Sequence, residues 1–182
     1  MFKCSSGGVL IGLGVLIAVN LVAVLGNLRG VTINTTASAP RGLWIKRGGG
    51  AFKRGDYVLI CPDSDNFLLG KTRGYILKPG SCRNGYRPLL KQVVALRGDK
   101  VSVKRNGISV NGKLVPKTAP RVRDSSGRPL LSFKDEVVLV ENEVFLSTKV
   151  KNGFDSRYFG VVTLSQIREK VVPLIVERGV RE

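Results

Sequence analysis

The chain has 182 residues, with 30 Lys and Arg against 13 Asp and Glu, a formal net charge of +17 and no histidine. Without an imidazole, catalysis by a Ser-His or Cys-His pair is excluded, and no spacing of Cys, Asp or Glu suits a metal ion, so neither a metal nor another cofactor is expected. The basic excess fits nucleic acid or anionic lipid equally well by charge alone, but the charges are scattered singly, without a basic helix or an aromatic-interleaved stripe. Nucleic acid is therefore not the expected partner, and membrane lipid is.

No residue from Cys4 to Leu28 is charged, and Val9 to Leu25 is almost wholly aliphatic. About 20 apolar residues span a hydrocarbon core, so residues 9–28 are predicted to form one transmembrane helix. Residues 1–8 would lie in the cytoplasm and 29–182 would form one periplasmic domain, long enough for a single core. A cleaved secretory signal is the alternative, with an apolar core of about 7 to 15 residues and an Ala-x-Ala-like site. Ala37-Ser38-Ala39 looks like such a site, but Pro40 would follow the cut and fits an extended strand poorly. The flanking charges, Lys3 against Arg29, Arg41, Lys46 and Arg47, point the other way. Long domains, however, translocate largely regardless of charge.

Beyond the apolar run the chain reads as mainly β. Val-rich runs at Tyr57–Ile60, Leu89–Leu96, Lys100–Lys104, Gly107–Asn111, Glu136–Val140, Glu143–Ser147 and Val171–Val176 are separated by turn signals such as Asn106-Gly107 and Asn111-Gly112. Leu164–Glu169 is the one segment that suggests a helix, with Ser165 as its cap. The polar, proline-containing stretch Lys113–Lys134 reads as a long hairpin or flap. Cys61 and Cys82 flank a loop rich in Pro, Gly and charge and are candidates for a disulfide in an oxidising compartment, against the alternative of two free thiols.

Two positions carry chemistry. Ser38 lies in Asn34-Thr35-Thr36-Ala37-Ser38-Ala39-Pro40-Arg41-Gly42-Leu43-Trp44, and with no histidine available its base would be a lysine. Lys91 shares a strand face with Leu89, Val93 and Ala95. A lysine there is ordinarily a surface residue whose stem packs and whose ammonium reaches water. If the ammonium is buried instead, desolvation lowers its pKa and the neutral amine can accept the serine proton.

These two blocks, with Gly153-Phe154-Asp155-Ser156-Arg157-Tyr158-Phe159-Gly160 as a third in the same order, resemble the type I signal peptidase family. The Asn-Thr-Thr-x-Ser-x-Pro form around Ser38, the Cys61 and Cys82 pair and Arg157-Tyr158-Phe159-Gly160 are similar to its conjugative-transfer branch, the TraF-type peptidases. That resemblance implies a signal-peptidase-like β catalytic domain with one N-terminal transmembrane helix in the bacterial inner membrane. It implies a serine endopeptidase that cuts a conjugative pilin precursor, or another exported protein, after small residues, with hydrolysis or closure into a ring, among other conjugative transfer components.

Carried over by position, Ser38 is the nucleophile, Lys91 the general base and Asp155 a third catalytic residue. Thr36 joins the Ser38 N–H in the oxyanion hole, and Arg157 braces the site. One departure stands out: where the family has a serine that holds the lysine, this chain has Gly153. Either another hydroxyl, Ser156 or Ser147, holds the amine, or Asp155 takes a larger part, and Gly153→Ser is then expected to be neutral or mildly activating. Two other functions stay open: a general signal peptidase I for exported precursors, and a non-catalytic, basic, membrane-tethered component of a transfer channel.

Overall fold

Short runs of alternating apolar residues cannot bury a face alone, and here they pair into two antiparallel sheets. The computed structural model describes residues 11–17, 20, 30–148 and 150–177. The strands, in chain order, are β1 (Val31–Asn34), β2 (Gly42–Lys46), β3 (Tyr57–Ile60), β4 (Leu89–Ala95), β5 (Lys100–Lys104), β6 (Gly107–Val110), β7 (Lys113–Leu114), β8 (Glu136–Val138), β9 (Glu143–Ser147), β10 (Val162–Thr163) and β11 (Ile167–Val176). One sheet runs β1-β2-β11-β3-β4-β9-β10 and the other β7-β6-β5-β8.

The long β11 serves both sides of its sheet, with Val171 opposite Lys46 of β2 and also opposite Tyr57 of β3. Next to β3, β4 lies with Lys91 opposite Val58, and β9 follows with Ser147 opposite Gln92. Lys91 therefore sits in an inner strand, flanked on both sides. Val58, Ile60, Val93 and Leu146 fill the main core beneath it with Phe67 and Phe159, whose rings lie 4.6 Å apart. The second sheet has its own core around Val101, Ile108, Leu139 and Phe145.

The mainly β prediction matches this architecture, with exceptions that have physical reasons. Leu164–Glu169 is not a helix: a 3-10 turn at Leu164–Gln166 passes directly into β11. Its entry is set by Thr163, whose N–H donates to Gln166 Oε1 at 3.0 Å, and not by Ser165. Strands β1 and β2 were not expected, because Val31–Asn34 and Gly42–Lys46 are too short and mixed to stand out before pairing with β11.

The predicted transmembrane helix is corrected. Helix is described at residues 11–17 and at Asn20, and the rest of 9–28, like all of 1–8, lies outside the described residues. Among the described residues no helix is long and apolar enough to cross a membrane. A stretch such as 11–17 rises roughly 10 Å, against a hydrocarbon core of about 30 Å. The single-pass inner-membrane placement with a periplasmic domain rested on that helix and is withdrawn with it.

Cys61, just past β3, and Cys82 are joined by a disulfide with Cα atoms 5.6 Å apart across 21 residues of sequence. The closed loop holds a 3-10 turn at Asp65–Phe67 and a short helix at Leu68–Thr72. Closing a loop of that length stabilises the fold by about 3 kcal/mol in the chain-entropy description. Replacing both cysteines by serine should lower unfolding stability by about that amount, read from urea midpoints of oxidised wild type and variant. Equal midpoints would show that the bond constrains nothing.

Candidate active site

β1 ends at Asn34, and the chain turns out of the sheet through residues 35–41 before re-entering as β2. That turn is built around the buried Asn34 side chain. Its Nδ2 donates to the carbonyls of Thr36 at 2.9 Å, Ala39 at 3.0 Å and Pro40 at 3.1 Å. Its Oδ1 accepts the N–H of Thr36 at 3.1 Å and the Thr36 hydroxyl at 2.8 Å, a side-chain turn of the kind asparagine makes readily. The indole of fully buried Trp44 adds a bond to Pro40 O at 3.1 Å. Gly42 closes the turn with φ +132°, and a Cβ there would lie 2.2 Å from Ile175 O.

The result fixes Ser38, half-buried, at a loop tip. Its Oγ lies 2.7 Å from Thr36 Oγ1. The single hydroxyl proton of Thr36 goes to Asn34, so in the resting state Ser38 is the donor in that contact.

Lys91 is the opposite case, only 4% exposed and held in the middle of β4. Burial pushes its pKa down from the usual lysine value to about 8; Asp155 partly opposes this by raising it, and Arg157 lowers it further. Among aliphatic neighbours the ammonium has lost water that no counter-charge fully replaces.

Asp155 and Arg157 stand behind Lys91, both fully buried and bonded Nε to Oδ1 at 2.7 Å. Asp155 also accepts from Arg157 Nη2 and N–H, Thr148 N–H and hydroxyl, and the Ser147 hydroxyl. Its side chain caps the short helix Ser156–Phe159. The rest of the guanidinium donates to the carbonyls of Ala119, Val150 and Gly153 at 3.0 to 3.1 Å. A surface ion pair would contribute little; in this one, loss of either partner strands a buried charge.

Of the hydroxyls expected to hold the lysine, Ser156 is drawn to the backbone of β9, its Oγ accepting the Leu146 N–H at 3.0 Å. Ser147 Oγ faces Thr148 O at 3.2 Å and Asp155 Oδ2 at 3.3 Å. The expectation for Gly153→Ser fails on space, since a Cβ at Gly153 would lie 2.0 Å from Thr148 Oγ1.

Thr36, Ser38 and Lys91 line one cavity of about 740 Å³. Tyr75, Leu77, Phe154 and Tyr158 give it an apolar side, while Lys46, Arg87, Arg168 and Glu169 also line it. Asp155 and Arg157 are not among its lining residues but support its wall through Gly153 and Val150. The predicted flap contributes Arg121, Asp124 and Leu130. It is latched down by Asp124, which accepts from Tyr75, Arg73 and Arg128. The disulfide loop contributes Leu77, Gly80 and Ser81, and Arg87 follows just beyond it. Among the described residues no cluster of metal-binding side chains occurs.

Sequence reasoning missed Asn34 and Thr148. An asparagine two residues ahead of a threonine at a strand end is a legible turn signal. Thr148 gives none, because its neighbours come from β4 and from the loop before Asp155.

The family model for signal peptidase, peptidase S26, matches residues 6–175. The chain is 38% identical over 176 residues to the plasmid transfer protein TraF of Escherichia coli, covering 95% of this chain and 96% of that protein. It is 39% identical over 142 residues to a probable conjugal transfer protein TraF of Sinorhizobium fredii, 76% of this chain and 73% of the relative. A signal peptidase I structure from Enterococcus faecalis aligns with a TM-score of 0.39 at 14% identity, over 68% of this chain and 98% of that one.

A buried lysine has a stability signature. Below pH 8 it is protonated folded and unfolded, and only the folded state bears the desolvation. Between about 8 and 10.5 the unfolded chain keeps a proton that the folded one has released, so wild-type stability climbs with pH. Lys91→Met should therefore stabilise the protein at pH 7 by about 3 kcal/mol, from the size of the shift, and the gain should fade as pH approaches 10.5. Urea unfolding at both pH values checks this; a pH-independent difference would mean Lys91 is not desolvated.

Proposed function

This chain belongs to the signal peptidase family, peptidase S26, and on that premise we propose that it is a serine endopeptidase that matures a conjugative pilin precursor with Ser38 and Lys91 as a catalytic pair. At the coarser level it is a signal-peptidase-like hydrolase linked to conjugative transfer. The observation that carries the finer reading is Lys91, almost wholly buried with a pKa near 8, on the wall of the cavity that Ser38 also lines.

In this reading the substrate lies extended in the cleft, with small side chains ahead of the scissile bond. Neutral Lys91 accepts the Ser38 proton as Oγ attacks the scissile carbonyl. Negative charge grows on the carbonyl oxygen, where the Ser38 N–H and the Thr36 hydroxyl are the proposed donors. Thr36 would have to turn its proton from Asn34 toward the oxyanion, an exchange made easier because Ser38 no longer donates to it. Such donors typically contribute ~3 to 4 kcal/mol to the transition state.

The ammonium of Lys91 then protonates the departing amine, leaving an ester on Ser38. Water activated by the regenerated amine hydrolyses the ester, or the substrate's own N-terminal amine attacks it and closes a ring. Asp155 stabilises the ammonium that forms at each proton transfer without receiving a proton itself, since it is already saturated with donors.

Co-expression with the pilin precursor, followed by weighing the product, tests the assignment. Ser38→Ala and Lys91→Ala should each abolish processing in a folded protein, and the double variant should be no worse, because members of one catalytic unit are strongly non-additive. Activity should rise with pH through about 8 as Lys91 loses its proton, and Lys91→Arg should be dead because guanidinium stays charged. Turnover by Lys91→Arg at neutral pH would remove Lys91 from the role of base.

A further inference from the structure

In the antiparallel pairing of β4 with β9, Gln92 stands opposite Ser147, the last residue of β9, and the same register carried one residue further would bring Thr148 opposite Lys91. Directly opposite residues share a face with Cβ atoms about 4.5 to 5.5 Å apart. Thr148 is 2% exposed, and both of its donors reach Asp155 Oδ2, the N–H at 2.8 Å and the hydroxyl at 3.2 Å. The hydroxyl can alternatively donate to Val150 O at 3.4 Å. With its one proton so engaged, Thr148 Oγ1 keeps lone pairs for an ammonium beside it.

The space for this hydroxyl exists because residue 153 is glycine. Gly153 does not have a left-handed φ, so its backbone does not require glycine; a Cβ there would fall 2.0 Å from Thr148 Oγ1 and 3.2 Å from Thr148 Cβ. Gly153 and Thr148 are thus two halves of one fitting: one side chain is absent so that the other can lie against Asp155.

We infer that Thr148 is the positioning residue of the lysine base, accepting from the Lys91 ammonium while donating to Asp155, and that Gly153 is retained to admit it. The inference rests on Lys91 being the base. Removing the hydroxyl takes an acceptor from the charged lysine, which should lower the pKa of the amine and loosen its aim toward Ser38.

Kinetics on a peptide spanning the mapped processing site test this across pH. Thr148→Val, nearly isosteric, should lower kcat by about 10- to 100-fold with little change in KM and move the acidic limb of the profile to lower pH. Thr148→Ser should restore both. Gly153→Ser should be impaired, because its Cβ evicts the threonine hydroxyl. Combining Gly153→Ser with Thr148→Ala should recover activity, since the serine Cβ then occupies the vacated place and its hydroxyl projects from there.

The recovery does not depend on Thr148→Val folding well. Wild-type kcat and an unmoved acidic limb in Thr148→Val, or a double variant no better than its parents, overturns the inference, provided Lys91→Ala is inactive. If Lys91→Ala retains turnover, the base assignment itself is wrong and the positioning role falls with it.

Discussion

The buried carboxylate of Asp155 is the constraint on which the rest of the site depends. It gathers donors from the end of β9, from the short helix that it caps and from the guanidinium of Arg157. Arg157 in turn gathers the carbonyls of Ala119, Val150 and Gly153. Segments separated by dozens of residues therefore meet at one ion pair. Its removal from water is tolerable only because nearly every proton and lone pair is matched; among the described residues no buried side-chain polar atom lacks a partner.

Lys91 feels the same pair at a distance. Asp155 favours its charge and Arg157 opposes it, and because the two carboxylate oxygens are already engaged with arginine, desolvation wins. The same arrangement that makes the wall rigid thus keeps the lysine from being neutralised by its nearest carboxylate. Were Asp155 bonded to Lys91 alone, the amine would be held as an ammonium and be useless as a base at neutral pH. An arginine behind the carboxylate instead helps lower the lysine's pKa, so that the amine more readily loses its proton.

Ser38 is placed by an independent device on the far side of the cleft, the Asn34 turn locked by Trp44 and closed at Gly42. β2 and β4, which carry these two halves, are separated in the sheet by β11 and β3. The separation of Ser38 from Lys91 is therefore set by the register of four strands together with the Asn34 turn that carries Ser38. A sheet is the stiffest available ruler for that purpose, and its inner strands have no free edge along which to slip.

How much was legible follows from this division. Local pattern sufficed for β3 to β6 and for β9, because alternation and turn residues are read within a few positions. The absence of histidine left lysine as the base, and the family resemblance picked out Ser38, Lys91, Asp155 and Arg157. The apolar run over 9–28 and the family resemblance both pointed to a membrane span, whereas among the described residues no helix is long and apolar enough for one. The sequence left Lys91 open between a surface residue and a buried base, because solvent exposure belongs to the neighbours on β3 and β9. It could not tell a surface Asp155–Arg157 pair from a buried one, for the same reason. Nor could it connect Gly153 with Thr148, since the vacancy at one is defined by an atom of the other, and such a fit exists only once the loop has closed around Asp155. Residue types and their order are properties of the chain; desolvation and steric fit are properties of its neighbours, and only the tertiary structure supplies those.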